Sequence, residues 1–191
     1  MNAIESNSRT TISVPVESVL LTECRTVFIE GEITMESANE FKHTMLYLLH
    51  KEPDEPITVH ISSPGGSVDA GMMIYDLIKG INAEVNMVCT GVALSIAAVI
   101  FAGAKRRSMW PHSKLMIHQR WLANGVSGTA SEICRTAEEI MKRKSDIVKA
   151  LSADTGKSAD VIENAIAYDN YFTAEEAVAF NLADEIVNTV I

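Results

Sequence analysis

Val85-Asn86-Met87-Val88-Cys89-Thr90-Gly91-Val92-Ala93-Leu94-Ser95-Ile96-Ala97-Ala98-Val99-Ile100-Phe101-Ala102-Gly103 admits two incompatible readings. Taken as one helix it reaches only about the minimum length of a membrane span, roughly 20 residues, and Asn86, Thr90, Gly91 and Ser95 interrupt it. Taken as a strand from Val85 to Cys89 followed by an Ala-rich helix, it is one buried strand-helix unit. The second reading is adopted, and it puts Ser95 at the junction. A serine there can hold its hydroxyl beside the unpaired N–H groups of an open helix N-terminus.

The neighbouring segments repeat the pattern. Val27 to Ile33 reads as a strand ending near the turn at Gly31, and a helix follows from about Met35 to His50, with Phe41, Met45, Leu48 and Leu49 at helical spacing. Pro53 and Pro56 end it. Ile57 to Ile61 reads as the next strand and runs into Ser63-Pro64-Gly65-Gly66-Ser67, whose glycines permit positive φ or close backbone approach. A helix from about Val68 to Gly80 follows, and beyond the Val85–Gly103 unit the segment Lys114 to His118 reads as a fourth strand. Strands alternating with helices at this spacing predict an α/β fold with right-handed crossovers and a largely parallel sheet.

After His118, the stretch Trp121 to Gly128 is read as an arm or loop. The helix Ala130 to about Leu151 carries Ile133, Ala137, Ile140, Met141, Val148 and Leu151 on one stripe. An apolar stripe on a helix set off from the body needs a partner, which predicts self-association. A short helix from about Ser158 to Tyr168 is expected next. Thr173-Ala174-Glu175-Glu176 has a capping-box pattern that opens a further helix, and Leu182 to Val187 reads as a last strand.

With 191 residues and 47% hydrophobic residues, the chain is long enough to bury one core without metal or disulfide support. Its net charge of −9 argues against a nucleic-acid or anionic-membrane surface, and Lys105-Arg106-Arg107 is read as a solvated turn. Cys24, Cys89 and Cys134 make neither a CxxC pair nor a disulfide framework, and they fit reduced thiols in a cytoplasm-like compartment. Met1 to Ser18 lacks the apolar centre of a secretory signal.

Serine hydrolysis needs a nucleophile, a base, a carboxylate that orients the base, and backbone donors for the oxyanion. Each has a candidate at an element boundary: Ser95, His118, Asp169, and the N–H groups of Gly66 and Ile96. Singly, each has a commoner structural reading. Ser95 would be a helix cap, His118 a hydrogen-bonded strand residue, Asp169 a loop residue and Gly65-Gly66 a plain turn.

Their contexts, however, occur together and in order. They are Ser63-Pro64-Gly65-Gly66-Ser67, Gly91-x-Ala93-x-Ser95-x-x-Ala98, Ala102-Gly103-Ala104-Lys105, Met116-Ile117-His118-Gln119, Asp169-x-x-Phe172-x-Ala174-x-Glu176-Ala177 and Asn181-Leu182-Ala183-Asp184. In these motifs, from about Val27 to Val187, the chain resembles the proteolytic subunit of the Clp protease. The resemblance implies the Clp-protease/crotonase fold, with repeated β-β-α units and a projecting handle over about 119–151. A flexible segment 1–18 would precede one peptidase domain, 19–191.

The same resemblance implies Ser95, His118 and Asp169 as a catalytic triad and Gly66 and Ile96 as the oxyanion hole. Gly65, Gln119, Arg120, Trp121 and Leu122 would lie along the substrate, the arm binding extended peptide by strand addition. Polypeptides would be cut inside two stacked heptameric rings fed by an AAA+ ATPase unfoldase, in the cytoplasm, with no cofactor, metal, nucleic acid or membrane involved. Departures from the family pattern, such as Tyr168 where arginine is common, motivate one alternative: a non-catalytic or conditionally active subunit of mixed rings. Others are a crotonase-type acyl-CoA enzyme and a Ser-Lys dyad, both ranked lower because Ser, His and Asp are all in place.

Overall fold

The computed structural model describes residues 2–7, 10–119 and 127–188. A hairpin of β1 (Asn2–Asn7) and β2 (Thr10–Pro15) leads into α1 (Val16–Thr22). The body is a seven-stranded sheet among the described residues. Its first three strands, β3 (Thr26–Ile33), β4 (Ile57–Gly66) and β5 (Val85–Leu94), lie side by side and parallel.

Alternation is strict where the sheet faces the helices. Ile57, Val59, Ile61 and Ser63 on β4 point inward, as do Val85, Met87 and Cys89 on β5. Helices α2 (Met35–Lys51), α3 (Val68–Gly80) and α4 (Ile96–Ala102) pack on this face. On α2 the buried residues are Ala38, Phe41, Met45 and Leu48, the stripe that 3.6-residue periodicity requires. Each large aliphatic side chain withdrawn from water contributes about 1.5–3 kcal/mol. Thr34 starts α2 with a reciprocal cap, its hydroxyl accepting from the Ser37 N–H while the Ser37 hydroxyl accepts from the Thr34 N–H.

Beyond β5 the sheet forks. Asn86 to Cys89 pair with β6 (Arg106–Met109), whereas Val92 to Leu94 pair with β7 (Lys114–Ile117). β6 continues to β9 (Glu185–Ile186), and β7 continues to β8 (Asn170–Phe172) through the one antiparallel pairing in this sheet. The fork corrects two expectations. β5 does not stop at Cys89, because a second partner takes over its pairing, and Lys105-Arg106-Arg107 is not a solvated turn. Arg106 and Arg107 lie in β6, where Arg107 is buried. The Arg107 guanidinium donates to the Asp184 carboxylate and to the carbonyls of Asp154 and Asn181, so the charge is desolvated but paired.

The long helix is α5 (Ala130–Thr155), capped by Thr129 with Glu132 and ended by Gly156 in the left-handed conformation. Its buried residues begin only at Ile147, and Ile133 and Met141 upstream are 40% and 60% exposed. Among the described residues the first half of the stripe is thus largely exposed, with Ile133 and Met141 open and Ile140 half-buried. α6 (Ala159–Ala165) and α7 (Ala174–Phe180) complete the chain, and α7 opens with the capping box expected at Thr173 and Glu176. No helix among the described residues is long and apolar enough to cross a membrane.

Candidate active site

The fork in the sheet brings three remote segments together. β5 delivers Ser95 at its C-terminal end, β7 delivers His118 just past its own end, and the β8 partner of β7 carries Asp169 at its start. The backbone N–H of Ser95 donates to the Met116 carbonyl at 2.8 Å, which ties the serine to the strand that holds the histidine. Asp169 is held on both flanks. Asn170 to Phe172 pair with β7, while Gln119 donates from its backbone to the Ile166 carbonyl at 2.7 Å and from its side chain to the Ala167 carbonyl at 3.3 Å.

Ser95 occupies the N-cap position of α4 but caps nothing. Its φ of 58° and ψ of −124° are strained for a residue with a Cβ, a state that costs about 1–3 kcal/mol and persists only where surroundings impose it. The strain turns the hydroxyl away from the helix. Ser95 Oγ lies 2.8 Å from His118 Nε2, and His118 Nδ1 lies 2.8 Å from Asp169 Oδ1. An ionised carboxylate only accepts, so Nδ1 carries the proton and donates to it, leaving the Nε2 lone pair to accept from the serine hydroxyl. The His118 side chain is largely covered, whereas that of Asp169 is half exposed.

The glycine turn sits against the serine. At Gly65, where φ is +95°, a Cβ would lie 2.6 Å from the Leu94 carbonyl oxygen and 2.9 Å from Ser95 Cβ; at Gly66 it would lie 2.2 Å from the Ile33 oxygen. Only glycine allows this approach. The Ile33 carbonyl takes its hydrogen bond from the Ser67 N–H at 2.8 Å rather than from Gly66. Ile96 heads α4, where an N–H has no intrahelical acceptor.

Gly66, Ser95, Ile96 and His118 border a cavity of about 240 Å³ whose other walls are Val68, Val99, Ile117, Ile147 and Leu151. Most of its walls are apolar side chains. These walls had no place in the sequence reading, although Val99 follows Ser95 by one helical turn and Ile117 directly precedes His118. Ile147 and Leu151 come from the base of α5, which no local pattern connects to Ser95.

Of the residues expected along a substrate, Gly65 abuts Ser95 and Gln119 is engaged with the loop before Asp169. Arg120, Trp121 and Leu122 lie outside the described residues. No cluster of three or more metal-ligating side chains occurs among the described residues. Cys89 is buried, and burial pushes its thiol up to about 11 against opposing hydrogen bonds from Ser113 and Gly91, so it is not a nucleophile at neutral pH. Cys24 and Cys134 are exposed free thiols away from this cavity. A family model described as Clp protease matches residues 8–190 of the chain.

Proposed function

The chain belongs to the Clp protease family, and from that membership we propose that it is a serine endopeptidase subunit that hydrolyses polypeptides with Ser95, His118 and Asp169. The observation that carries this reading is the continuous relay from serine hydroxyl to imidazole to carboxylate, with both separations at 2.8 Å. A subunit without catalysis has no use for it, nor for a strained serine that leaves its helix uncapped.

In the proposed reaction Ser95 Oγ attacks the scissile carbonyl carbon while its proton passes to His118 Nε2. Asp169 keeps the imidazole in the correct tautomer and stabilises its positive charge. The oxyanion that forms accepts hydrogen bonds from the N–H groups of Gly66 and Ile96. Collapse of this intermediate expels the amine, which takes the proton back from Nε2. A water molecule, deprotonated by the same nitrogen, then hydrolyses the acyl-enzyme. The apolar cavity receives the side chain on the acyl side of the cut bond.

The exposed stripe on the first half of α5 supports pairing between copies, and stacked heptameric rings would enclose the serines in a chamber. Selection would then fall to the pores and to an AAA+ ATPase unfoldase that feeds them. A fluorophosphonate that modifies assembled wild-type protein at Ser95, together with loss of peptide hydrolysis in Ser95→Ala at unchanged oligomer size, is the expected result. Modification at another residue, or hydrolysis that survives Ser95→Ala, refutes the reading.

A further inference from the structure

Ser63 is completely buried, and its hydroxyl is engaged both as donor and as acceptor. It donates to the Gly31 carbonyl of β3 at 2.6 Å and accepts from the Gly65 N–H at 3.1 Å. We infer that Ser63 is a positioning residue for the oxyanion donors, its hydroxyl fixing where the Gly65-Gly66 turn stands relative to Ser95. The inference rests on the serine-peptidase reading and adds a residue to it.

The strand pairings explain why a side chain is needed here. β3 and β4 slip register between Glu30 and Glu32, where Gly31 adopts a φ of 71°, and β4 and β5 slip between Ile61 and Ser63. Both ladders thus break beside Ser63. The β3–β4 ladder resumes at Glu32–Gly65 and Ile33–Gly66, and the bulges just before it leave backbone groups without ladder partners. One hydroxyl bridges the gap, because it can donate to a carbonyl and accept from an N–H at once.

Residues 64–66 transmit the position of Ser63 to the site. Pro64 has no N–H to give and a fixed φ, so the turn cannot be re-anchored there. Gly65 then rests on Leu94 and Ser95, and Gly66 is packed against the Ile33 backbone on one side while lining the cavity on the other. With alanine at 63, the buried Gly65 N–H would lose its acceptor, while the carbonyl of Gly31, an exposed residue, would turn to water. The turn would relax toward new partners and carry the Gly66 N–H out of line with the oxyanion. Ser63 touches no substrate. It acts through Gly65 and Gly66, so its loss weakens the tetrahedral state more than the ground state.

The test compares wild-type, Ser63→Ala and Ser63→Cys protein in the assembled state, the cysteine variant keeping nearly the shape with a weaker donor. Each is measured for hydrolysis of a fluorogenic peptide, for affinity toward a peptide boronic acid that forms a tetrahedral adduct at Ser95, and for affinity toward the cleaved product peptide. In Ser63→Ala, kcat and boronate affinity are expected to fall together by about 10- to 100-fold, with product affinity and KM within about twofold of wild type. Ser63→Cys should fall between, and it decides alone if the alanine variant does not fold. Boronate and product affinities that fall in parallel, or folded variants that match wild type, overturn the role of Ser63 and leave the peptidase reading intact. Wild-type protein that neither cleaves the peptide nor binds the boronate overturns both.

Discussion

Replacing Gly65 by alanine presses directly on the nucleophile. The new Cβ would stand 2.6 Å from the Leu94 oxygen and 2.9 Å from Ser95 Cβ, where ordinary contact begins at 3.4 Å. Both obstacles are fixed: one is backbone and the other is the first side-chain atom of a residue anchored through its N–H to Met116. The turn or the end of β5 must therefore retreat by roughly 0.8 Å, and a displacement of about 1 Å at a reacting centre costs on the order of 100-fold in rate. The Gly66 N–H moves with the turn, and loss of one oxyanion donor alone costs about 100- to 1,000-fold. We expect kcat to fall at least about 100-fold with KM little changed, and stability to fall by about 1–3 kcal/mol because φ is +95°.

Gly156→Ala is the matched control. Gly156 also has a positive φ, +69°, but a Cβ there meets nothing within 4 Å and lies at the end of α5. It should show a stability loss of about 1 kcal/mol with unchanged kcat. Steady-state peptide hydrolysis and thermal unfolding of the assembled proteins separate the two effects. Gly65→Ala protein with kcat within threefold of wild type would refute the claim that the turn and the serine are positioned by mutual contact.

Three further outcomes are expected. Ile147→Ala widens the cavity at the base of α5, so kcat/KM should shift toward peptides with bulkier apolar side chains before the cut bond, at a stability cost of about 2–4 kcal/mol; unchanged selectivity in a peptide library would exclude Ile147 as a wall. Met141→Glu places a charge in the uncovered stripe and should reduce the assembly to smaller species by size-exclusion chromatography, whereas an unchanged elution volume would show that the stripe is not an interface. Asp184→Asn leaves the Arg107 guanidinium without its counter-ion and should cost about 2 kcal/mol, less than a fully buried pair because the carboxylate is partly exposed.

The last of these has a defined pH signature. Burial raises the Asp184 carboxyl, but hydrogen bonds and charge from Arg107 outweigh it and hold the carboxyl below its ordinary 3.8. A lowered folded-state value means that the stabilisation is complete above 3.8 and is lost as pH falls through the folded value. The stability gap between wild type and Asp184→Asn should thus be widest above about pH 4 and close in stronger acid. Denaturant unfolding at a series of pH values measures it; a gap that grows on acidification would contradict the pairing.

Elements set by local chemistry were legible in the residues. The 3.6-residue stripe of α2 and the Thr173–Glu176 cap depend on neighbours a few positions away and stand where the sequence puts them, whereas β4 begins at Ile57 as read but runs past Ile61 to Gly66. Elements set by distant partners were not. β6 hides in Lys105-Arg106-Arg107 because Arg107 becomes a core residue only through Asp184, 77 positions later. β5 outlasts its apolar run because β7 comes to pair with Val92, Ala93 and Leu94. β8, three residues long, is defined by its antiparallel partner rather than by its own composition.

The candidate site divides in the same way. Ser95, His118, Asp169 and the glycine pair could be named from the order of their motifs, since residue types and spacings are properties of the chain. Whether Ser95 caps a helix or faces a histidine is decided by its φ and ψ. Those angles are set by the Met116 carbonyl that holds its N–H and by Gly65 pressed against its side chain. The apolar cavity likewise exists only where Ile147 and Leu151 of α5 meet Val99 of α4. Sequence thus determined which groups were available for chemistry. Tertiary structure decided their directions, because hydrogen bonds and contacts between segments dozens of residues apart outweigh the weak local preferences of each.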